Sequence, residues 1–257
     1  MRFKLHLELL NSRENILPLN YQYELSAWIY RVLNHGNPEF SGWLHEKGYT
    51  DDQKSFKLFT FSNLDVPRRK IQGDRMEIIG KNIDLIISML PDEVVSHFIT
   101  GIFRDQVFRL GDRQSQVPFR VSSIEGLAEP HFSGCMNFSS KAPVMISFMY
   151  PGDRYARYLA PDVPSYGELF FRNLKEKYRT FFKSECHFDE KDGKLEILTP
   201  PRKKGILIKA GTPQESKIIG YQFDFCITAP PELIKLGYYA GFGEKNSLGF
   251  GCAEVKD

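Results

Sequence analysis

The sequence predicts an α+β protein in which the order strand, helix, strand, strand, helix, strand occurs twice. Three observations support this prediction. Short segments with apolar residues at every second position indicate half-buried strands. Longer segments with apolar residues at helical spacing indicate amphipathic helices. A segment rich in turn residues, at 126–140, separates the two series and indicates a boundary between two domains, 1–128 and 129–257.

The first series begins with the alternating strand at 2–9, in which Phe3, Leu5 and Leu7 face one side. A helix follows at 22–34, and Asn37 with Pro38 predicts the cap and first residue of a second helix that ends near Lys47. The remaining elements predicted in this half are strands at 56–64, 75–80, 83–90 and 117–127, and a helix at 91–108. The acidic pair Asp51-Asp52 is expected to form a solvated turn.

The second series has the same order. Helices are predicted at 166–182 and 231–241, and strands at 142–150, 194–199, 204–210, 218–229 and 250–255. Each half therefore reads as a ferredoxin-like βαββαβ unit, a fold that RNA-recognition domains also use. Fold alone does not establish function, and no aromatic RNA-recognition motif of that domain class is evident.

Composition narrows the functional classes. The 257 residues are 42% hydrophobic and 14% aromatic, which supports a large core, and the net charge of +2 requires any nucleic-acid surface to come from local clusters. No apolar run of about 18 residues is present, and the first strand does not resemble a signal peptide. Four scattered cysteines without C-x-x-C spacing favour reduced, mostly buried thiols over a metal site. We expect a cytoplasmic protein without a membrane partner.

The stretch GFGEKNSLGFG at 241–251 is the most specific motif. Its two Gly-Phe-Gly triplets lie just before the last predicted strand. Glycine permits tight turns and close approach of the backbone to a phosphate. The motif is neither a dinucleotide-binding fingerprint nor a P-loop, because no strand precedes it and no Lys-Ser/Thr ending follows. A structural role and a phosphate-binding role are both open at this point.

This motif, at the end of two ferredoxin-like units, resembles that of the CRISPR repeat-processing endoribonucleases of the RAMP superfamily. The resemblance extends to the opening strand MRFKLHLEL, to LPLNYQYELSAWIYRVL and to FKLFTFS, and covers most of the chain. It implies an endoribonuclease that cuts repeats in precursor CRISPR RNA without a metal or other cofactor.

The resemblance also implies three catalytic residues. The family places a Tyr in the first helix, a His in the next helix and a Lys at the start of the following strand. These positions match Tyr30, His45 and Lys57. The segment before Lys57 is long, so Lys54 and Lys47 are alternatives for the lysine.

Elementary chemistry supports this set of side chains. Cleavage by the RNA 2′-OH needs proton transfer at two oxygens and positive charge beside the phosphate. His45 would transfer protons, Tyr30 would assist at the 2′-OH, and Lys57 would stabilise the charge. Considered singly, Tyr30 is a core aromatic and His45 a helix-end residue. His35, at the end of the first helix, is the competing histidine and is expected to serve as a cap.

Two sets of residues are predicted to bind RNA. Arg202, Lys203 and Lys204 concentrate charge at a predicted hairpin, where they can contact phosphates. The basic segment 172–179 is expected to be a solvated helix face, since Glu176 interrupts it. In the glycine-rich motif, the residues expected to face the RNA backbone are Gly241, Gly243, Lys245, Gly249 and Gly251.

The resemblance implies precursor CRISPR RNA repeat as the partner and leaves two protein partners open, namely CRISPR effector complex subunits and a second copy of the chain in a homodimer. One alternative function is a non-catalytic repeat-RNA-binding subunit of an effector complex. A second is a ferredoxin-like metabolic enzyme or small-molecule sensor, which no nucleotide motif, metal-ligand spacing or carboxylate pair supports.

Overall fold

The computed structural model describes residues 1–51 and 54–256, so Asp52 of the expected acidic turn lies outside the described residues. The elements of the first half are β1 (Arg2–Leu9), β2 (Ile16–Pro18), α1 (Gln22–Gly36), α2 (Pro38–Glu46), β3 (Tyr49–Asp51), β4 (Lys54–Phe56), β5 (Phe59–Phe61), β6 (Arg69–Gln72), β7 (Arg75–Ile78), β8 (Asn82–Met89), α3 (Asp92–Ile102), β9 (Val107–Gly111) and β10 (Gln116–Gly126).

The second half follows without a further helix between Gly126 and Cys135. Its elements are β11 (Cys135–Ser140), β12 (Ser147–Phe148), β13 (Arg157–Tyr158), α4 (Tyr166–Phe182), β14 (Lys194–Ile197), β15 (Arg202–Ile208), β16 (Ser216–Gln222), β17 (Asp224–Thr228), α5 (Pro231–Ala240), a single 3₁₀ turn (Asn246–Leu248) and β18 (Ala253–Val255).

The first half forms the predicted ferredoxin-like sheet. Its strand order is β5-β8-β1-β10-β9, and all its pairs are antiparallel. Central strand β1 places Leu5 opposite Leu85 of β8 and Ile124 of β10. The alternating residues Phe3, Leu5 and Leu7 are buried under α1 and α3, as the period of two predicts.

The helix predicted at 91–108 is too long. Helix α3 ends at Ile102, and β9 begins at Val107 and adds a fifth strand to the sheet. The reason lies in the local pattern, because Phe103 is 70% exposed and the following residues alternate, with Phe108 and Leu110 buried. That period of two is the pattern of a strand, and it overrides the apolar run that suggested a continuous helix.

The second half forms the other ferredoxin-like sheet, with the order β14-β17-β11-β18. Its first strand is β11, which lies in the predicted boundary segment 126–140. The predicted strand 142–150 is therefore not the first strand of this sheet, although its residues Ser147–Phe148 form β12, which pairs with β13. Residues 142–146 are buried without joining this sheet, and they bond instead to the glycine-rich segment and to β16. Met145 O, for example, accepts from Glu244 N at 2.8 Å.

Two further strand predictions need correction. The strand predicted at 218–229 is divided at Phe223 into β16, which pairs with β15 in a separate hairpin, and β17, which lies in the main sheet. The strand predicted at 56–64 is likewise shortened to β5, with β4 belonging to a hairpin with β3. That small hairpin lies on α4, where Asp51 accepts from Arg179 at 3.0 Å.

Polar and aromatic contacts join the two halves. Arg2 of β1 is buried, lies 4.2 Å from the ring centroid of Tyr238 and donates to the Tyr238 carbonyl at 3.3 Å. Asn20 bonds both backbone groups of Leu207 in β15, at 3.0 and 2.6 Å. No helix among the described residues is both long and apolar enough to cross a membrane.

Candidate active site

A cavity of about 570 Å³ lies between the two halves of the molecule. The first half contributes Tyr30 from the middle of α1, His45 from the last turn of α2 and the segment from β4 to Leu58. The second half contributes α4 and the 3₁₀ turn before β18. The lining side chains include all three residues predicted to be catalytic, and the full set is Tyr30, His45, Lys54, Ser55, Phe56, Lys57, Leu58, Asn173, Lys177, Glu244, Lys245, Asn246, Ser247 and Leu248.

Tyr30 is held at the base of this cavity by aromatic packing. Its ring meets the rings of His45 and Phe59 edge to face, with centroid distances of 5.0 and 5.5 Å. Burial raises the pKa of Tyr30 to about 12, although the nearby Ser247 side chain acts in the opposite direction. The phenol therefore retains its proton at neutral pH and can orient a neighbouring hydroxyl without carrying a charge.

His45 and Lys57 are linked through the end of α2. This helix begins as predicted, because Asn37 Oδ1 accepts from Phe40 N at 3.1 Å and Pro38 occupies the first turn. His45 lies exposed in its last turn, and Lys57 Nζ donates to the His45 carbonyl at 2.9 Å. Partial burial lowers the pKa of Lys57. The ammonium group is thus fixed beside the histidine.

The alternative residues have other surroundings. Lys54 lines the cavity, but its ammonium group is bound by both carboxylate oxygens of Glu176 at 2.6 Å. Lys47 lies outside the lining. His35 lies at the end of α1, with its Nδ1 atom 3.8 Å from an Asp105 oxygen, and does not reach the cavity.

Residues 241–251, which we term the glycine loop, are packed inside the protein. The four glycines are buried, and each has a positive φ. A Cβ atom on Gly251 would lie 1.9 Å from the Phe242 carbonyl oxygen, and one on Gly243 would lie 2.5 Å from that of Met145. Only glycine combines this left-handed backbone with such close approach.

Most of the loop's glycine N–H groups already have protein acceptors. Gly241, Gly249 and Gly251 donate to the carbonyls of Gly237, Asn246 and Pro143, respectively. The packing role of these glycines is therefore established by their contacts, whereas their contact with RNA stays a prediction. Lys245, which has a φ of 56° and an exposed side chain, is the loop residue best placed to meet a ligand.

The glycine loop also contacts the first half of the chain. Ser26 Oγ of α1 donates to the Ser247 carbonyl at 2.6 Å, and Thr60 Oγ1 of β5 donates to the Phe250 carbonyl at 2.8 Å. Gly249 packs against the Phe61 ring. These contacts bring Ser247 to Tyr30, so both halves of the molecule build the cavity.

Lys177 is a residue of this cavity that sequence reasoning missed. The basic segment 172–179 was expected to be solvated, but Lys177 is 1% exposed and donates to the carbonyls of Gly241 and Gly243, both at 2.6 Å. A usable signal was present, because Lys177 follows Phe170 and Leu174 at helical spacing and so continues the apolar stripe of α4.

A larger cleft of about 710 Å³ lies between β15 and the first half of the chain. Arg202 and Lys204 line it, together with the cations Lys4, Arg69 and Lys141. Lys203 does not, because neighbouring residues of a strand point to opposite faces. The three residues predicted from the hairpin cluster are thus divided between two surfaces.

Within residues 1–51 and 54–256, no three His, Cys, Asp or Glu side chains cluster in a way that could hold a metal ion. The cysteines differ from the expectation of mostly buried, scattered thiols. Only Cys252 is buried, and the sulfur atoms of Cys135 and Cys226 lie 3.3 Å apart on adjacent strands β11 and β17.

Comparison with known proteins matches both halves of the chain to one family. Residues 16–124 match the model described as "CRISPR-associated protein Cas6, N-terminal", and residues 127–255 match "CRISPR associated protein Cas6, C-terminal". The chain belongs to the Cas6 family. These matches confirm the resemblance to the CRISPR repeat-processing family that the sequence of the glycine loop indicates.

Individual Cas6 proteins resemble this chain along nearly its whole length. The CRISPR-associated endoribonuclease Cas6 1 of Methanocaldococcus jannaschii is 30% identical over 96% of this chain and 91% of its own. The CRISPR-associated endoribonuclease Cas6 of Pyrococcus furiosus is 28% identical over 93% of this chain and 84% of its own. A solved Cas6-related structure from P. furiosus superposes with a TM-score of 0.85 at 25% identity, covering 100% of this chain and 98% of that one.

Proposed function

We propose that this Cas6 protein is an endoribonuclease that cuts the repeat of precursor CRISPR RNA. The observation that carries the proposal is the convergence of Tyr30, His45 and Lys57 on one cavity, in which the Lys57 ammonium group donates to the backbone carbonyl of His45. The names of its Cas6 relatives as endoribonucleases support this activity.

In the proposed reaction, the substrate's own 2′-OH is the nucleophile. Its oxygen bonds to the adjacent phosphorus while the bond from phosphorus to the 5′-oxygen breaks, which yields a 2′,3′-cyclic phosphate and a 5′-hydroxyl. No metal ion takes part. The 2′-OH proton leaves and the 5′-oxygen gains one, so a group that exchanges protons near pH 7 accelerates both events.

The three side chains divide this work. We assign proton transfer to His45, which is exposed at the mouth of the cavity. We assign orientation of the 2′-OH to Tyr30, whose hydroxyl remains protonated because of its raised pKa. Lys57 supplies positive charge for the phosphate oxygens as negative charge develops on them.

The RNA backbone is proposed to follow the cationic residues that flank this cavity. Arg202 and Lys204 line the larger cleft, where contacts with phosphates provide affinity that tolerates sequence changes. Lys203 lies on the other face of β15. Lys245 contacts the backbone at the cavity itself, and the loop glycines act mainly by giving the loop its shape.

One substrate tests the mechanism. A repeat RNA with a single 2′-deoxy nucleotide immediately 5′ of the scissile phosphate is incubated with the protein in EDTA, beside the all-ribose RNA. We expect the all-ribose RNA to be cut to cyclic-phosphate and 5′-hydroxyl ends. The deoxy RNA should bind with similar affinity and remain intact, because one hydroxyl is a small part of the interface.

The alternatives give different products. Cutting of the deoxy RNA, or 5′-phosphate ends that require Mg²⁺, would make water the nucleophile and would remove the assigned roles of Tyr30, His45 and Lys57. Tight binding of the all-ribose RNA without cleavage would identify a non-catalytic repeat-binding subunit.

A further inference from the structure

Lys177 is the one basic residue of its helix segment that points into the protein. Its neighbours in α4 are engaged at the surface, where Lys175 lies 3.1 Å from Glu190 and Glu176 binds Lys54. Lys177, in contrast, is 1% exposed. A buried ammonium group is costly unless hydrogen-bond acceptors replace its water shell, so its surroundings indicate its role.

Those surroundings consist of the glycine loop. Lys177 Nζ donates to the carbonyls of Gly241 and Gly243 at 2.6 Å and to Asn246 Oδ1 at 2.7 Å. An ammonium group has three N–H donors, and all three are used. Asn246 in turn donates to the carbonyls of Phe242 and Phe250, at 3.2 and 3.1 Å. The loop therefore closes around one positive charge.

The residue that binds Lys177, Asn246, is joined directly to Ser247 in the cavity wall. Asn246 precedes Ser247, which lines the cavity with Tyr30 and whose carbonyl accepts from Ser26 of α1. Lys177, Asn246 and Ser247 line the same cavity as Tyr30 and His45. Loss of the hydrogen bonds from Lys177 to the glycine loop would therefore displace the loop residues that line the cavity opposite Tyr30.

We propose that Lys177 is a positioning residue for RNA cleavage, which shapes the glycine loop and so places Ser247 in the cavity wall beside Tyr30. It does not touch the RNA in this proposal, because its side chain is buried and its three protons are already donated to the loop. The proposal rests on the proposed function, in which Tyr30 and the loop belong to the cleavage site.

Burial and the surrounding polar groups act in opposite directions on the charge of Lys177. Burial lowers the pKa of Lys177 to about 7, and the carboxylates of Glu244 and Glu176 act against this change. Glu244 is itself fixed, since its carboxylate accepts from Ser147 N at 2.7 Å. The three loop acceptors stabilise the protonated form further, because each accepts a hydrogen bond from the charged group.

The test compares three variants with the parent in single-turnover cleavage at saturating repeat RNA. Lys177→Met keeps the length of the side chain and removes the charge, and Lys177→Ala leaves room for an added amine. Lys175→Ala is the matched control on the same helix. We expect both Lys177 variants to cleave about 10- to 100-fold more slowly, which is the cost of a small misplacement of reacting groups. Lys175→Ala should cleave like the parent.

Rescue separates a positioning role from a general loss of stability. The n-propylammonium ion has the atoms that Lys177→Ala lacks, and we expect it to restore cleavage several-fold in that variant alone. Tetramethylammonium at equal ionic strength should not. Parental rates in Lys177→Met, no rescue of Lys177→Ala, or global unfolding of both variants would each overturn the proposal.

Hydrogen exchange distinguishes this proposal from the proposed function. Amides of residues 241–251 should exchange faster in Lys177→Met than in the parent, while those of β1 and β8 should not change. This result can be obtained even if the parent does not cleave RNA. A parent that does not cleave would refute the proposed function, whereas unchanged loop exchange would refute the hold of Lys177 on the loop.

Discussion

The two cavities of this molecule differ in how their charged groups are engaged. In the cavity that contains Tyr30, three of the four lining lysines are bound to protein acceptors: Lys57 to a carbonyl, Lys54 to a carboxylate and Lys177 to the glycine loop. The fourth, Lys245, has an exposed side chain. In the larger cleft, Lys141 pairs with Glu254 at 2.9 Å, whereas Arg202 and Lys204 make no ion pair with any carboxylate of the described residues.

This difference separates two kinds of work. Groups that are fixed before the substrate arrives lose little freedom in the transition state, which is the arrangement that catalysis requires. Cations without a protein partner keep their full capacity to replace the counterions of a phosphate backbone. We therefore expect substitutions in the first cavity to lower the rate of cleavage and substitutions in the cleft to lower affinity.

The largest expected effect comes from His45→Ala. We expect single-turnover cleavage to fall by about 10²- to 10⁴-fold, the usual value of a general acid or base, while the dissociation constant of the RNA changes little. His35→Ala is the matched control, because His35 ends α1 outside the cavity, and it should cleave like the parent. Equal rates for His45→Ala and the parent would remove His45 from the site.

The next largest effect is expected in the glycine loop, which belongs to the second half of the chain and contacts the first half. Gly243→Val introduces a Cβ atom 2.5 Å from the Met145 carbonyl at a φ of 70°. We expect a lower melting temperature and cleavage reduced by about tenfold or more, since misplacement of the loop shifts the reacting groups. The measurements are thermal unfolding and single-turnover cleavage.

Gly211→Val is the control for that substitution. Gly211 has nearly the same φ, 72°, but nothing lies within 4 Å of its Cβ position. Any cost that the two variants share comes from the backbone conformation, and the remainder comes from the contact with Met145. If Gly243→Val were no worse than Gly211→Val, the loop would be a tolerant turn.

A smaller effect is expected for Tyr30→Phe. Because burial raises the pKa of Tyr30 to about 12, the phenol stays neutral across the range in which the enzyme can be assayed. The variant should therefore cleave about tenfold more slowly at every pH from 6 to 10, and the shape of its pH–rate profile should match that of the parent. Tyr155→Phe, on an exposed ring, should have no effect.

A different outcome would change the assignment of roles. If the parent showed an ionisation between pH 8 and 10 that Tyr30→Phe abolished, Tyr30 would act as the proton acceptor and His45 as the donor to the leaving oxygen.

The sequence predicted what depends on local pattern. Strand β1 and helix α1 follow from their periodicities. Tyr30, His45 and Lys57 were implied by the family resemblance and by no local pattern, and the structure brings them to one cavity. Strand β11 was missed because its inward face offers only Met136 and Phe138 before the polar Ser140, which is too short an apolar alternation to indicate a strand. The buried run 142–146 looked like a strand, but its backbone bonds to the glycine loop instead.

The second wall of the cavity could not be predicted, because it depends on contacts distant in the sequence. Ser247 reaches Tyr30 only because the loop packs on α1 and β5, more than 180 residues earlier. Lys177 illustrates the same limit. Helical spacing places Lys177 on the apolar stripe of α4, but the three acceptors that make its burial favourable belong to the distant loop.

The smallest expected effect distinguishes two adjacent lysines in β15. Lys204 lines the larger cleft and Lys203 lies on the opposite face of the strand. Lys204→Ala should weaken RNA binding across sequences and reduce the slope of log affinity against log salt by somewhat under about 1, the contribution of one phosphate contact. Lys203→Ala should leave that slope unchanged.

Both variants should retain the parental cleavage rate at saturating RNA, since neither residue reaches Tyr30 or His45. If both variants kept the parental slope, the RNA would lie away from this cleft. If Lys203→Ala reduced the slope more than Lys204→Ala, the RNA would lie on the other face of the hairpin.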